Sequence, residues 1–405
     1  MQLQTHLLSG VVVVDFTQFL AGPSVSQAMA ELGAEVIKVE SAPGGDPGRY
    51  LPLQRDGRSG YFVQQNTAKK SLCVDLRHAE GKALVLDLLK RADVMVENFS
   101  PGVIDKLGFG WDVVHALNPR LVMASVSALG QDGPLARMPG FDFTGQAYSG
   151  VASMAGDADG APALIGVAVG DLGTGMSALA AVCAALYHRE RSGQGAFVEV
   201  SLLDFLFRSH EANVEIHTLS GGSIKPHRSG SQSTAYAPVG YYKARGGYVN
   251  LVIPGPMWPK LCEAMGQPAL ATDPRFKTNE DRVAHLTDLV KIIEDWMAGF
   301  ESVDAVVTHC AGFRLPAAPV LSVEQAVKHP QLAGRGTVRT VPDPILGTVT
   351  IAGQPIRARG FAHHTGQPAP LLGEHNAQVL RHHLGLGDAD VARLTQAGVL
   401  VSARV

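Results

Sequence analysis

The alternation of β-branched runs with helical segments through the N-terminal third of the chain is what most constrains its fold. Val11 to Phe16 is a continuous apolar run, the kind of strand that is buried on both faces. Ala21-Gly22-Pro23 breaks it, and Pro23 suits the first turn of a helix running from Ser24 to Leu32, with Gly33 at its C-terminal cap. Glu35 to Glu40 reads as the next strand. The pattern then continues with a strand at Ser71 to Leu76, a helix at Glu80 to Arg91 and a strand at Val94 to Glu97. Helices at Val103 to Lys106 and Trp111 to Asn118 precede a strand at Leu121 to Ser127. Strands that alternate with helices in this way pair in parallel, under helices on both faces, so the expected class is α/β.

Length adds a second domain. A chain of 405 residues exceeds the size at which one hydrophobic core keeps growing. Gly173 to Arg191 reads as a long helix, Phe197 to Leu202 as a strand, and a further helix runs on through His217. Ser220-Gly221-Gly222-Ser223 and Arg228-Ser229-Gly230-Ser231 then favour turns and mark a boundary. Beyond it, Gly240 to Pro254 alternates like a hairpin with Gly246-Gly247 at its turn, and helices follow at Met257 to Met265 and Asn279 to Met297. The expected layout is a large domain over 1–200, a linker helix over 201–224 and a smaller α+β domain over 225–330. A Pro/Gly-punctuated return segment, 331–405, ends in helices near Glu374 to Leu384 and Asp388 to Ala397.

Composition narrows the partners. The chain is 46% apolar and 18% charged, with a net charge of −3 and no block of like charge, which argues against a nucleic-acid groove. The start, MQLQTHLLSG, lacks the basic and long apolar regions of a signal peptide. The apolar stretch Met176 to Tyr187 is too short to span a bilayer, so a cytoplasmic protein with no membrane partner is expected. Cys73, Cys183, Cys262 and Cys310 are far apart and read as reduced core residues. The adjacent pairs His363-His364 and His382-His383 have side chains that diverge on a regular element and read as solvated, so no metal site is expected.

Gly170-Asp171-Leu172-Gly173-Thr174-Gly175 is the first candidate for chemistry. A strand-like run, Ile165 to Val169, leads into it and the long helix starts just after Asp171. Asp171 fits an N-cap, because its oxygen accepts the free N–H groups of the first turn. It equally fits a ligand site, because a strand-to-helix junction is the usual crevice of a parallel sheet. Gly173 and Gly175 leave room for a ligand near the backbone. The two roles are compatible, since a helix N-terminus favours an ionised carboxylate, as a nucleophile must be. The loop Glu40 to Arg49 matches neither a Walker A motif nor a dinucleotide fingerprint, and Arg49, Lys69, Lys70 and Arg77 are candidates to meet phosphates. Val96 to Gly102 places Asn98 and Phe99 between a strand and a helix, a third candidate site.

A chain-wide series of short motifs sharpens this reading. In order they are Asp15-Phe16-Thr17, Ala21-Gly22-Pro23, Leu32 to Glu40, Gly44-Gly45-Asp46 with Arg49, Asn66 to Ser71, and Ala92 to Gly102. Leu107-Gly108-Phe109, Asn118-Pro119-Arg120, Gly130 to Pro134, Gly170-Asp171, Pro316 to Val320 and Pro370 to His375 follow. In these the sequence resembles the family III CoA transferases, the formyl-CoA transferase or CaiB/BaiF type. The resemblance implies an interlocked homodimer. Its large Rossmann-like domain, with a parallel sheet, is built from both ends of the chain, so that 331–405 completes it, and the middle forms a smaller α+β domain. It implies no prosthetic group. Coenzyme A and acyl-CoA enter as substrates, with a small carboxylic acid as acceptor and succinyl-CoA as one candidate donor.

By position the resemblance makes Asp171 the catalytic carboxylate. It assigns CoA contacts to Leu20, Ala21, Val74, Asp75, Leu76, Arg77, Asn98, Phe99, Ser100 and Lys106, with Phe141 and Asp142 beside them. Formyl-CoA transferase has Gln where Leu20 stands, Arg at Ser41 and Lys106, and a Tyr-Glu pair at Phe141-Asp142. It has a glycine run where this chain has Gly230, Ser231, Gln232, Ser233 and Thr234, the residues expected to close over the intermediate. These departures point away from oxalate toward another mono- or dicarboxylate. The related 2-methylacyl-CoA racemases are one alternative, but they use a His where Phe141 stands, and phenylalanine moves no proton. A non-catalytic CoA-binding subunit of a heteromer is the other alternative; activity of the purified chain alone separates it from the enzyme.

Overall fold

The computed structural model describes residues 6–363 and 366–403, so His364 of the first histidine pair lies outside the described residues. The chain divides into two compact units. Unit one comprises 1–151, 166–212 and 331–405; unit two comprises 152–165 and 213–330. Two boundaries differ from the sequence expectation: the second unit starts at 213 rather than 225, and it takes in 152–165. Where one linker helix was expected, two short ones stand, Leu202–Arg208 and Asn213–Leu219. Between them Glu211 adopts φ 51°, which no helix interior tolerates.

Unit one is built on a six-stranded parallel sheet. Its strands are β1 (Val12–Asp15), β2 (Glu35–Ser41), β3 (Lys70–Val74), β4 (Val94–Glu97), β5 (Val122–Ser127) and β6 (Ala196–Ser201). Their spatial order is 3-2-1-4-5-6, the doubly wound arrangement in which the chain reverses direction between β1 and β4. The helices in this unit include α1 (Ala21–Glu31), α2 (Gly60–Asn66), α3 (Ala79–Leu89), α4 (Val103–Leu107) and α5 (Trp111–Leu117). They continue with α6 (Asp142–Tyr148), α7 (Val169–Ser192) and α8 (Leu202–Arg208).

Alternation along each strand feeds two cores. Val13, Val36, Val94 and Val122 face α1 and α7, packing with Val25, Met29, Val182 and Leu186. Val14, Ile37, Leu72 and Met95 face the other way onto Leu84, Val85 and Leu88 of α3. Each fully buried aliphatic side chain contributes about 1.5–3 kcal/mol, so two-sided burial makes this sheet the rigid frame of the unit. The C-terminal segment completes the second core with Leu394, Val399 and Leu400. Asn376 Oδ1 accepts the Cys73 N–H at 2.9 Å, and Leu400 bridges Val74.

Unit two centres on the antiparallel strands β7 (Val239–Ala244), β8 (Gly247–Val252) and β9 (Ala317–Pro319), in the order β9-β8-β7. The expected hairpin is present, with Gly246 at φ 87° in its turn. Tyr242, Val249 and Leu251 pack on Trp258, Leu261, Phe276, Leu289 and Ile293.

One expected strand is missing. Ile165 to Val169 forms no strand; Gly166 turns it at φ 78°, Val167 is exposed, and α7 has begun by Val169. The apolar helix is also longer than expected. At 24 residues, α7 is long and apolar enough to cross a membrane by length and composition, yet Leu179, Val182, Ala185 and Leu186 bury against the sheet core.

Candidate active site

The reversal of strand order places the C-terminal ends of β1 and β4 side by side with loops diverging from them. That is where open α/β sheets bind ligands. A cavity of about 310 Å³ opens there, lined by both loops, by Phe141 and by Asp171. Of the sequence-expected residues it gathers Leu20, Ala21, Asn98, Phe99, Ser100, Phe141 and Asp171. A second cavity, of about 350 Å³, takes Asp75, Leu76 and Arg77, together with Ser41 and Lys82. Gln18 and Phe99 line both, so the two hollows form one continuous surface along the sheet edge.

Other expected residues lie elsewhere. Val74 is fully buried in the core and lines neither cavity, because β3 is sandwiched between helix and C-terminal segment there. Lys106 is exposed on α4 and lines neither cavity. Gly230, Ser231, Gln232, Ser233 and Thr234 belong to unit two, where Gln232 Nε2 donates to the Tyr241 carbonyl at 2.8 Å. Three of the four cations proposed for phosphate are held by acids of the frame. Arg49 pairs with Glu40 at 2.7 Å above the Phe62 ring, Lys69 with Asp15 at 3.0 Å, and Lys70 with Glu35 at 2.7 Å. Arg77 lines the second cavity while folding back on Asp75 at 2.6 Å.

Asp171 is not an N-cap. The helix begins two residues earlier, which sets Asp171 in the first turn of α7, and its own N–H donates to Asp142 Oδ2 at 2.8 Å. Asp142 is therefore the cap, supplied from α6, and its other oxygen accepts from Gln146 Nε2. It is buried at 4% exposure and lines neither cavity, and its hydrogen bond to the Asp171 N–H makes it a support for the carboxylate. Burial, and after it the neighbouring Asp142 charge, push Asp171 up to about 7. Burial and the Asp142 charge thus make this carboxylate a more basic group than the sequence reading expected. Tyr61 feels the same charge: burial first, then Asp171 and Asp46, raise its phenol.

Gly173 and Gly175 also serve packing rather than ligand approach. A Cβ on Gly173 would fall 1.9 Å from the Phe205 ring, and one on Gly175 would sit 2.0 Å from Ser24 Oγ and 2.9 Å from the Ala21 carbonyl. Gly173 thus seats α7 against α8, and Gly175 brings α7 against α1, beside the loop that follows β1.

That loop is fixed by a buried polar frame. Lys38 Nζ donates to the Thr17 carbonyl at 2.6 Å and pairs with Asp46 at 2.9 Å. Asn98 closes a reciprocal pair with Gln18, accepting its N–H at 2.7 Å and donating to its carbonyl at 2.8 Å. The Asn98 amide is thus occupied with the loop. Gln18 and Phe19 were missed in sequence, and only the non-glycine turn between Thr17 and Ala21 hinted at them. Burial also lifts Glu97 to about 7, against the opposing hydrogen bond from Ser125.

The second histidine pair does not diverge. On the wide turn Leu380–Leu384, His382 and His383 converge with Glu35, and His383 Nε2 meets the carboxylate at 3.0 Å. Lys70 already pairs with that carboxylate, so the group reads as an ion-pair cluster.

A doubly wound sheet with a carboxylate in the cavity at its switch point is the arrangement in which open α/β proteins bind their ligands. The chain belongs to CoA-transferase family III, whose family model matches residues 8–376, and it is a CoA-transferase. It is 36% identical to the formyl-CoA:oxalate CoA-transferase of Streptomyces avermitilis, over 98% of this chain and 100% of that protein. It is 34% identical to the succinyl-CoA–D-citramalate CoA-transferase of Chloroflexus aurantiacus, over 97% and 98%. Among solved structures, a CaiB/BaiF family protein from Brucella suis superposes with a TM-score of 0.82 at 32% identity, over 94% of this chain and 100% of that one.

Proposed function

We propose that this chain moves CoA from an acyl-CoA to a free carboxylate, with Asp171 carrying the acyl group and then CoA between them. The observation that supports this most is the placement of Asp171 in the switch-point cavity, with no histidine among the lining residues. In the cycle, an Asp171 oxygen attacks the thioester carbonyl carbon, the C–S bond breaks, and CoA leaves as thiolate. The thiolate attacks the Asp171 carbonyl of the mixed anhydride and releases the donor acid, leaving an aspartyl-CoA thioester. The acceptor carboxylate then attacks that thioester and expels the thiolate. The thiolate takes the acceptor acyl group, and Asp171 is restored. Holding the reactants together supplies the effective molarity that a weak carboxylate nucleophile lacks in water.

Along the sheet edge, Asp75, Leu76 and Arg77 would hold the nucleotide end of CoA. Lys82, which lines the same cavity, would serve as a cation for phosphate. Leu20, Ala21, Asn98, Phe99 and Ser100 flank the thioester end, and the Gly230–Thr234 loop is the element we assign to closing over the intermediate. Succinyl-CoA, named in one relative, is a donor to assay first. The enzyme reads as a cytoplasmic homodimer with no prosthetic group. A two-base racemase is disfavoured because Phe141 supplies no proton.

Asp171→Ala is expected to abolish acyl transfer, at least 1,000-fold, by analogy with loss of other covalent nucleophiles, while CoA binding persists in calorimetry. Hydroxylamine after acyl-CoA exposure should mark Asp171 in the mass spectrum. Label on a different residue would remove Asp171 from the mechanism.

A further inference from the structure

Phe19 adopts φ 62°, a left-handed conformation that bulky residues avoid and that persists only where the surroundings over-determine it. Here they do. The Phe19 N–H donates to Asp46 Oδ1 at 3.3 Å, and Asn98 clamps Gln18 through both its N–H and its carbonyl. Thr17 is held by Lys38 through its carbonyl and by Asp15 through its N–H at 2.7 Å. A glycine would make the same turn without strain, so the feature being held in place is the ring. It meets Phe141 edge-to-face, with centroids 6.0 Å apart and planes at 88°. Both rings line the cavity that holds Asp171, and Leu20 and Leu202 extend the apolar wall.

The charge inventory of that cavity is as telling. Among the described residues of this chain that line it, Asp171 is the one charged residue, and no Lys, Arg or His joins it. A dicarboxylate bound as its acyl group would bring a second carboxylate toward Asp171 with no cation to receive it, in a site where burial already disfavours ionisation. An aliphatic or aryl acyl group would instead bury against the two rings.

We infer that Phe19, with Phe141, is a specificity-determining residue that selects an apolar acyl group, a branched aliphatic or aromatic monocarboxylate, over dicarboxylates such as succinate. The inference rests on the acyl-acceptor role of Asp171 and narrows the donor from the succinyl-CoA that a relative's name suggests.

The test is self-exchange in the full-length protein, which needs no knowledge of the natural acceptor. Labelled isobutyrate is followed into isobutyryl-CoA, labelled benzoate into benzoyl-CoA, and labelled succinate into succinyl-CoA. At least one apolar pair should exchange with kcat/KM ten or more times that of the succinyl pair. Phe19→Gly and Phe19→Asn keep a residue tolerant of the left-handed turn while removing the ring. In both, the apolar-to-succinyl ratio should fall at least fivefold with the thermal midpoint not lowered. A preference for succinate in the wild type, or a ratio that Phe19→Asn leaves unchanged, overturns the inference alone. Absence of exchange with every pair, joined by absence of hydroxylamine label on Asp171, overturns the acyl-acceptor role and the inference with it.

Discussion

Two carboxylates divide one task at the head of α7. Asp142 gives an oxygen to the Asp171 N–H and so fixes the first turn of the helix, and its charge adds to burial in raising Asp171 to about 7. The attacking species is the carboxylate, so activity should be low below that pKa and rise as pH increases through it. The acid limb of kcat/KM is expected near pH 7 in a pH–rate profile. Asp142→Asn retains an acceptor oxygen for the cap but removes the charge, so the limb should move to lower pH. An unmoved limb would mean that burial alone sets the Asp171 ionisation. At this scale the sequence disclosed identity better than role. The motifs of Asp171 and Phe141 lead to one cavity, whereas Asp142, expected beside CoA, supports the helix, and Arg49, Lys69 and Lys70, candidates to meet phosphates, line neither cavity. Pairing with Glu40, Asp15 and Glu35 takes up those three cations, and partners 9, 54 and 35 positions away leave no local pattern.

Among elements, strands were the most legible, because a parallel sheet buried on both faces writes itself as uninterrupted Val/Ile runs. Val94–Glu97 matches the expectation to the residue, and β1, β2, β3 and β5 agree to within a residue or two at each end. The failures share a cause. Ile165 to Val169 looked like a strand because it is β-branched, but no neighbour pairs with it and Gly166 bends it away. The hairpin Val338–Asp343 and Gly347–Ala352 escaped notice because its short strands carry Pro342 and alternate with exposed Thr. The glycines of α7 were misread for a related reason: residue type announces a close approach but not what approaches. Gly175 packs on the α1 backbone, so Gly175→Ala should destabilise. Overpacking of about 1–3 kcal/mol outweighs the gain of about 1 kcal/mol in helix propensity. The denaturation midpoint should fall, and activity should fall further because α7 carries Asp171. A variant at least as stable as wild type would show that α1 and α7 can separate without penalty.

At the scale of the molecule, α7 poses a question that the chain alone leaves open. One face packs on the sheet core, whereas Leu172, Ala180, Cys183, Ala184 and Tyr187 form an exposed stripe along the other. Ala180, Cys183, Ala184 and Tyr187 recur at helical spacing along the second half of the helix, and half-buried Met176 separates them from Leu172 in the turn that holds Asp171. Phe141, Phe143, Tyr148 and Phe207 are also exposed. Monomeric soluble proteins seldom leave so extended an apolar surface in water, and a second copy of the chain is the partner that the family resemblance implies. Lipid is the competing cover, since α7 meets the length and composition of a membrane-crossing helix. The two diverge in solution. A homodimer should sediment at twice the 42.7 kDa chain mass without detergent and stay in the supernatant with phosphatidylcholine vesicles. Leu172→Lys with Tyr187→Glu would place two charges on the stripe and shift the population toward monomer. If the stripe is buried by the partner beside Asp171, exchange activity should fall in parallel with dimer content across a dilution series. Full activity in a monomeric variant would show that one chain completes its own site.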